Sequence, residues 1–389
     1  MLDLLVFGAA VVAASFALAW AAEAAQKDIS GALAIAILAL IAVLPEYAVD
    51  LYYAFRSGSD AGYEQFAAAN MTGSNRLLLG LGWPLVVFVA LFVARKIAKA
   101  GGESGRSLPS ILRLPGNSRL DIGVLAIVSV LAFAIPLMGM IALPFGILLI
   151  VIFAAYLWRA GRVEEDDGEE EFVGAAALIA NMPQRARRIT VITMFVAAAA
   201  IILLSAEPFA DALVQSGRAL GVDSFFLVQW LAPLASEAPE FIVAVLFAVR
   251  GHGVAAIGTL IASKINQWTL LVGSLPIAHA LGGGGLNLEL DPRQVEEFVL
   301  TASQTVMGVA ILIALRFHRW SAFALIALFA VQFAVTDTAG RYVLSAIHLV
   351  IAVVALAINR RDILPTITAP FRRPVTLAKH PALIDKQAG

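Results

Sequence analysis

Two short acidic stretches carry the chemistry of this chain. LPEYAVD holds Glu46 and Asp50 behind Pro45, and SEAPE holds Glu237 and Glu240 around Pro239. Both sit inside runs otherwise apolar enough for lipid. A charged side chain at the centre of a bilayer costs on the order of 3 kcal/mol, so retained acids mark function. Glu46 and Asp50 are four residues apart and Glu237 and Glu240 three apart, so each pair shares a helix face. Each proline removes one backbone donor and frees a carbonyl one turn back. In lipid such a carbonyl must line a cavity or meet an ion. Acids beside freed carbonyls make an all-oxygen environment, and a hard cation such as Ca²⁺ takes about six to eight oxygens. Asn70, Ser74 and Asn75 follow the first pair, Ser236 precedes the second and Ser263 follows it, which completes the candidate cation-binding set. Asp50 is expected nearer a membrane boundary than the glutamates.

The elements that position these residues are membrane helices. Of 389 residues, 60% are hydrophobic and 14% charged, and the mean hydropathy is +0.87. A soluble domain is nearer half apolar and a quarter charged. Apolar runs of about 20 residues, enough for a ~30 Å hydrocarbon core, recur along the chain. Eleven spans are expected, near 2–22, 30–55, 64–97, 120–137, 140–158, 189–215, 223–249, 254–280, 295–317, 319–336 and 340–358, with ten as the alternative if the last two merge. The third is long enough to be bent or broken. The first run lacks a basic n-region and reads as a retained helix, not a signal peptide. With eleven spans and the N-terminus outside, the basic loops and the basic tail all fall on the cytoplasmic side. That places the chain in the plasma (inner) membrane with the C-terminus cytoplasmic. The expected organisation is a first membrane half at 1–158, a charged cytoplasmic linker at 159–188 containing EEDDGEEE, a second half at 189–358 and a basic tail at 359–389. The linker reads first as a solvated segment.

The halves repeat. AVLPEYAVDLYYAFRSG followed by AAANMTGSNRLLLGLG (about 40–80) corresponds to PLASEAPEFIVAVLFAVRGHG followed by AAIGTLIASKINQWTLLVG (about 232–272). An odd number of spans separates the copies, so they enter the membrane from opposite sides. The fold class is therefore an all-α polytopic membrane protein. It has two inverted halves of about five helices, plus an extra C-terminal helix, and the site lies at the repeat interface near the midplane. These repeats resemble the α-repeats of the cation/calcium exchanger superfamily, whose pattern is a Pro-Glu helix followed by Gly-Asn-x-x-Gly-Ser-Asn. Pro45-Glu46, Pro239-Glu240, Asn70, Gly73, Ser74 and Asn75 match it. In the second copy Gly258 and Ser263 match, while Thr259, Ala262 and Lys264 replace Asn, Gly and Asn. The resemblance runs from the first helix to the end of the eighth. It implies Glu46 and Glu240 as the principal metal ligands. Sodium-selective members carry hydroxyls just before Pro-Glu, where this chain has Ala42, Val43, Ser236 and Glu237. The family also places a polar residue one turn after the motif serine; that position is Leu78 in the first copy and Gln267, beside Asn266, in the second.

Two cations, Arg76 and Lys264, adjoin the motif. Lys264 reads either as an ion-pair partner of Glu237 or Glu240, or as a proton- or charge-coupling group whose ammonium takes the place of a cation. His252, His279, His318, His348 and His380 show no metal-ligand spacing. Asp337 is expected in a turn, and the glycines at 282–285 in a flexible loop. Without cysteine there is no thiol nucleophile or thiolate metal site. No nucleotide motif, catalytic constellation or nucleic-acid patch is present, so no enzyme and no resident cofactor are expected. The expected partners are inorganic cations and the bilayer. The expected function is a secondary antiporter exchanging Ca²⁺ for Na⁺ or H⁺. The alternative is a non-transporting binding or sensor protein that keeps the exchanger fold.

Overall fold

The computed structural model describes residues 2–25, 27–28, 44–101, 108–162 and 174–372. The first half opens with α1 (Leu2–Ala25) and α2 (Leu44–Ser57). The first part of the span expected at 30–55 lies outside the described residues. Next, α3 (Glu64–Leu77) passes through one π-helical turn, Leu78–Gly82, into α4 (Trp83–Ala100). The expected break in this long span is thus one widened turn. Helices α5 (Arg119–Leu131), α6 (Ala134–Met138) and α7 (Leu143–Ala160) complete the half. Within the expected linker, α8 (Gly174–Ala180) is helical, and the acidic run at 164–171 lies outside the described residues.

The second half repeats the order. It comprises α9 (Gln184–Leu220), α10 (Ser224–Ser236) and α11 (Ala238–Val249), then α12 (Gly253–Asn266), a π-helical turn at Gln267–Leu271 and α13 (Val272–Leu281). It ends with α14 (Pro292–Leu312) and α15 (Arg319–Ala334). Outside the repeats lie α16 (Thr338–Ile358) and α17 (Arg360–Ile367). Every expected span contains helix. Among the described residues, seven helices are long and apolar enough to cross a membrane, and α10 with α11, bent by 52°, add an eighth if the pair is one broken span. Large apolar side chains such as Leu5, Phe92, Leu204 and Val350 face outward. The chain is an integral membrane protein.

Two short strand pairs staple the halves. β1 (Ile111–Arg113) and β2 (Met140–Ala142) lie in the first half, β3 (Asn287–Glu289) and β4 (Arg316–His318) in the second. β1 pairs antiparallel with β4, setting Leu112 opposite Phe317, and β2 with β3, setting Ile141 opposite Leu288. The first pair joins the loop before α5 to the loop after α14, and the second the loop before α7 to the loop before α14. Each pair therefore closes one end of the bundle. The end with β2–β3 and the 58–63 turn is called here the turn face. The end with β1–β4, Asp28 and α17 is the tail face. The expected helix at 295–317 stops at Leu312 because the chain turns there into β4.

Backbones approach closely where the repeats cross. A Cβ at Gly73 would overlap the carbonyl oxygen of Gln229 on α10, so only glycine lets α3 lie against it. The glycines expected in a flexible loop at 282–285 are also packed: a Cβ at Gly282 would overlap the Phe55 carbonyl, and one at Gly284 the His279 ring. Trp83, Trp268, Phe66 and Phe298 fill the interior at 2% exposure or less.

Candidate cation site

Glu46 is the third residue of α2 and Glu240 the third of α11. Glu240 sits in the first turn of α11, just past the 52° bend, where unpaired N–H groups and the helix dipole favour negative charge. Broken or short helices with inward-pointing N-termini are how transporters hold polar groups at the midplane. Glu46 is within electrostatic reach of Asp50, Glu237 and Glu240, so the acids of the two repeats share one buried region. Glu46, Asp50 and Glu237 are fully buried, whereas Glu240 is half-buried. Asp50, expected near a boundary, is 0% exposed and accepts from Asn70 Nδ2 at 2.8 Å. Pairing with Asn70 across the turn draws it inward.

Many oxygens at this centre have no hydrogen-bond partner. They are Glu46 Oε1, Asp50 Oδ2, Asn70 Oδ1, Ser74 Oγ, Glu237 Oε2 and Gln267 Oε1. A buried polar group left unsatisfied costs about 1–3 kcal/mol. These six atoms are all oxygens, the atom type that hard cations take. Among the described residues, however, no three His, Asp or Glu are gathered as a ready-made metal cage. Ser263 Oγ donates to Glu240 Oε2 at 3.0 Å, and Gln267 Nε2 to Glu237 Oε1 at 2.6 Å. Gln267 stands one turn beyond Ser263 at the start of the second π-helical turn, and its polarity in that position was the signal for it.

Two expected ligands are otherwise engaged. Ser236 Oγ donates to the Ala232 carbonyl of its own helix. Asn75 donates to the Met71 carbonyl and receives Lys264: the ammonium lies 2.8 Å from the Asn75 carbonyl and 3.1 Å from its Oδ1. Lys264 is 0% exposed and feels the charge of Glu237, but it forms no ion pair with Glu237 or Glu240. The expected direct pairing is replaced because Asn75 offers two oxygens. Lys264 and Asn75 are 189 residues apart, the same spacing as Ser74 and Ser263 and as the two π-helical turns. The ammonium therefore joins equivalent positions of the two repeats.

Arg76 turns the other way. Its guanidinium pairs with Glu297 of α14 at 2.5 Å, bonds Gln332 of α15 and stacks 5.0 Å over Trp230. Arg341 of α16 contacts both Glu296 and Glu297. This buried four-charge group was missed in the sequence, where two adjacent acids in an apolar span were its signal. Asp337, expected in a turn, caps α16 by accepting from Gly340 N. Of the histidines, His279 bonds Ser57 and His348 bonds Ser303, and His380 lies outside the described residues.

The sequence profile of the family described as sodium/calcium exchanger protein matches residues 2–161 and 190–336. Among solved structures, an H⁺/Ca²⁺ exchanger, CAX, is 39% identical over 95% of this chain and 90% of that one, with a TM-score of 0.87. The sodium-calcium exchanger NCX_Mj is 18% identical over 86% of this chain and 98% of that one, at a TM-score of 0.54. YfkE is 15% identical over 89% and 92%, at 0.59. The last two share the fold. No curated protein sequence matches the chain.

Proposed function

The chain belongs to the sodium/calcium exchanger protein family, and from that premise we propose that it is a secondary antiporter carrying Ca²⁺ in exchange for H⁺ or Na⁺ by alternating access. The observation that carries this reading is the meeting of Glu46, Asp50, Glu237 and Glu240 at the repeat crossing, with unpartnered oxygens around them. Four carboxylates with one ammonium nearby leave a formal surplus of three negative charges when all are ionised. Such a surplus cannot stay empty in low dielectric. It is met by a divalent cation, by protons or by smaller cations, and competition for the same oxygens enforces exchange.

Glu46 and Glu240 are proposed as principal ligands, one from each repeat. Glu237, Asp50, Asn70, Ser74 and Ser263 add oxygens, and Lys264 supplies fixed charge that couples the repeats. Asn75 and Ser236 hold helices instead of cargo. H⁺ is the favoured counter-ion: Lys264 already occupies the Asn75 oxygens, Ala42 and Val43 supply no hydroxyl before Pro45, and the H⁺/Ca²⁺ exchanger CAX is 39% identical to this chain. The distribution of Lys and Arg supports a cytoplasmic tail face in the plasma (inner) membrane, with the N-terminus outside and 159–188 as a cytoplasmic linker. α1 and α9 are the proposed moving pair.

The test is Ca²⁺ uptake into proteoliposomes under an imposed pH gradient and, separately, a Na⁺ gradient. Uptake driven by pH is expected, and it should vanish in Glu46→Gln and Glu240→Gln. Undiminished uptake in both variants would sink this assignment of ligands. A second reading, a non-transporting sensor with the exchanger fold, draws on the same Lys264–Asn75 contact, which bolts the two repeats together. Folded protein without flux of any cation would favour it.

A further inference from the structure

Beyond the acidic centre, three tyrosine hydroxyls converge on two consecutive residues of α9. Tyr63 Oη donates to Asp211 Oδ1 at 2.6 Å, and Tyr52 Oη donates to the same oxygen at 3.1 Å. Tyr53 Oη donates to the Ala210 carbonyl at 3.2 Å. Tyr52 and Tyr53 lie on α2 just beyond Asp50, and Tyr63 immediately precedes α3. Their rings pack on one another and on Phe66 with centroids 5.7–6.4 Å apart, and Arg56 lies 5.0 Å over Tyr63. The aromatic group covers the acidic centre on the turn-face side, and a hydrogen-bonded seam joins it to α9. Hydrogen bonds to a carboxylate are among the stronger ones, yet each breaks singly.

α9 is divided at this seam. Pro208, three residues before Asp211, lies inside the helix and leaves the Leu204 carbonyl without its usual donor, a natural point of bending. Before Pro208, α9 is bound to α1: Ala198 and Ile202 pack on Ala14 and Leu18, and Arg187 grips both oxygens of Asp28 at 2.6 and 2.8 Å. Beyond Pro208, Phe209 still packs on Gly8 of α1 and Ser224 of α10 donates to the Val214 carbonyl, while the seam ties the stretch to α2 and to the turn before α3. Asp211, Tyr52 and Tyr63 are all half-buried, so the seam lies at the edge of the protein core and not inside it.

We infer that Asp211, Tyr52 and Tyr63 form a latch that holds α9 beyond Pro208 against α2 and α3, and that its release swings this stretch at Pro208 to open the turn-face approach to the acidic centre. These are positioning residues for transport. The cargo rests on the exchanger reading above, whereas the motion does not.

The absence of cysteine lets a single engineered thiol report alone. Ser216→Cys and Ala210→Cys place thiols on the buried side of α9 beyond Pro208, at positions 3% and 0% exposed. Ala198→Cys places one before it, at 2%. The readout is the rate of reaction with a water-soluble maleimide, using the full-length protein in lipid nanodiscs where both faces are open. Adding Tyr52→Phe with Tyr63→Phe is expected to speed labelling at 210 and 216 about tenfold or more, because both phenol bonds to Asp211 are gone. Asp211→Ala should do the same, and Asp211→Asn, which keeps an acceptor oxygen, less. Ala198→Cys should be unaffected. Rates within about twofold of the parent in both the Phe pair and Asp211→Ala would overturn the latch, since lost hydrogen bonds would then gate nothing. An equal rise at Ala198→Cys would also overturn it, as general loosening. Ca²⁺ flux is not part of the readout, so a chain that failed the uptake test would still pass or fail this one.

Discussion

The two repeats build the same scaffold and fill it differently. Each has a glutamate in the third position of a helix, a serine one motif later and a π-helical turn four residues after that serine. In the first repeat the second acid, Asp50, lies one turn after Glu46 and is held by Asn70. In the second it lies at the 52° bend before Glu240, as Glu237, and is held by Gln267. The first repeat has neutral Asn75 where the second has Lys264, and the two meet. Backbone symmetry therefore places the oxygens, while asymmetry in side chains sets the charge.

The largest expected effect tests the shared part. Glu46→Gln and Glu240→Gln should each cut Ca²⁺ uptake by about 100-fold or more, since loss of even outer-shell partners costs about 10–100-fold. A large loss in one and little in the other would break the equivalence of the repeats. Next comes the asymmetric cation. Lys264→Gln removes a buried charge and, with its shorter reach, leaves Asn75 oxygens short of donors, which should lower thermal stability by about 1–3 kcal/mol. It should also change the pH dependence of Ca²⁺ uptake. If Lys264→Gln and Lys264→Ala both left stoichiometry and pH dependence unchanged, Lys264 would be structural alone. The accessory acids follow. Glu237→Gln is expected to slow uptake about 10–100-fold and Asp50→Asn about tenfold, because Asn70 already engages one Asp50 oxygen. The reverse order in initial-rate measurements would put the working accessory acid in the first repeat.

The smallest effect concerns α1 and α9, the helices that open the two halves. Arg187 holds the Asp28 carboxyl well below the usual carboxylate range, chiefly through its hydrogen bonds. A depressed folded value means stabilisation that is full above the unfolded value, about 4, and lost as pH falls through the folded one. Arg187→Gln should lower the Tm by a few degrees, about 2–4 °C, at neutral pH. The gap from the parent should be constant above about pH 5 and begin to narrow as pH falls below about 4. A gap independent of pH would assign the loss to packing instead of charge.

Much of this arrangement was legible in the chain. Pro45-Glu46 and Pro239-Glu240 are local signals, as are Ser74 and Ser263, because helical spacing puts each beside its own acid or motif. The spans were legible because lipid demands long apolar helices. Other features were not. Asp50 reads as a boundary acid until Asn70, 20 residues on, is seen to donate to it. Ser236 reads as a ligand, but its hydroxyl bonds its own helix. Arg76 reads as a cation beside the site, and Glu297, far along the chain, draws it away. The Asp211 seam left no mark at all, since tyrosines and an acid on separate helices form no pattern in one dimension.

The sequence by itself determined that the chain lies in a membrane, that it repeats in inverted order and that paired acids sit at the repeats. These follow from composition, period and parity, which are properties of residues close in sequence. Only the tertiary structure decided which oxygens remain free, where Lys264 puts its charge and how α9 is held. Those depend on partners far apart in the chain, such as Asn75 with Lys264, 189 residues on, whose meeting is set by how helices cross and not by any local pattern.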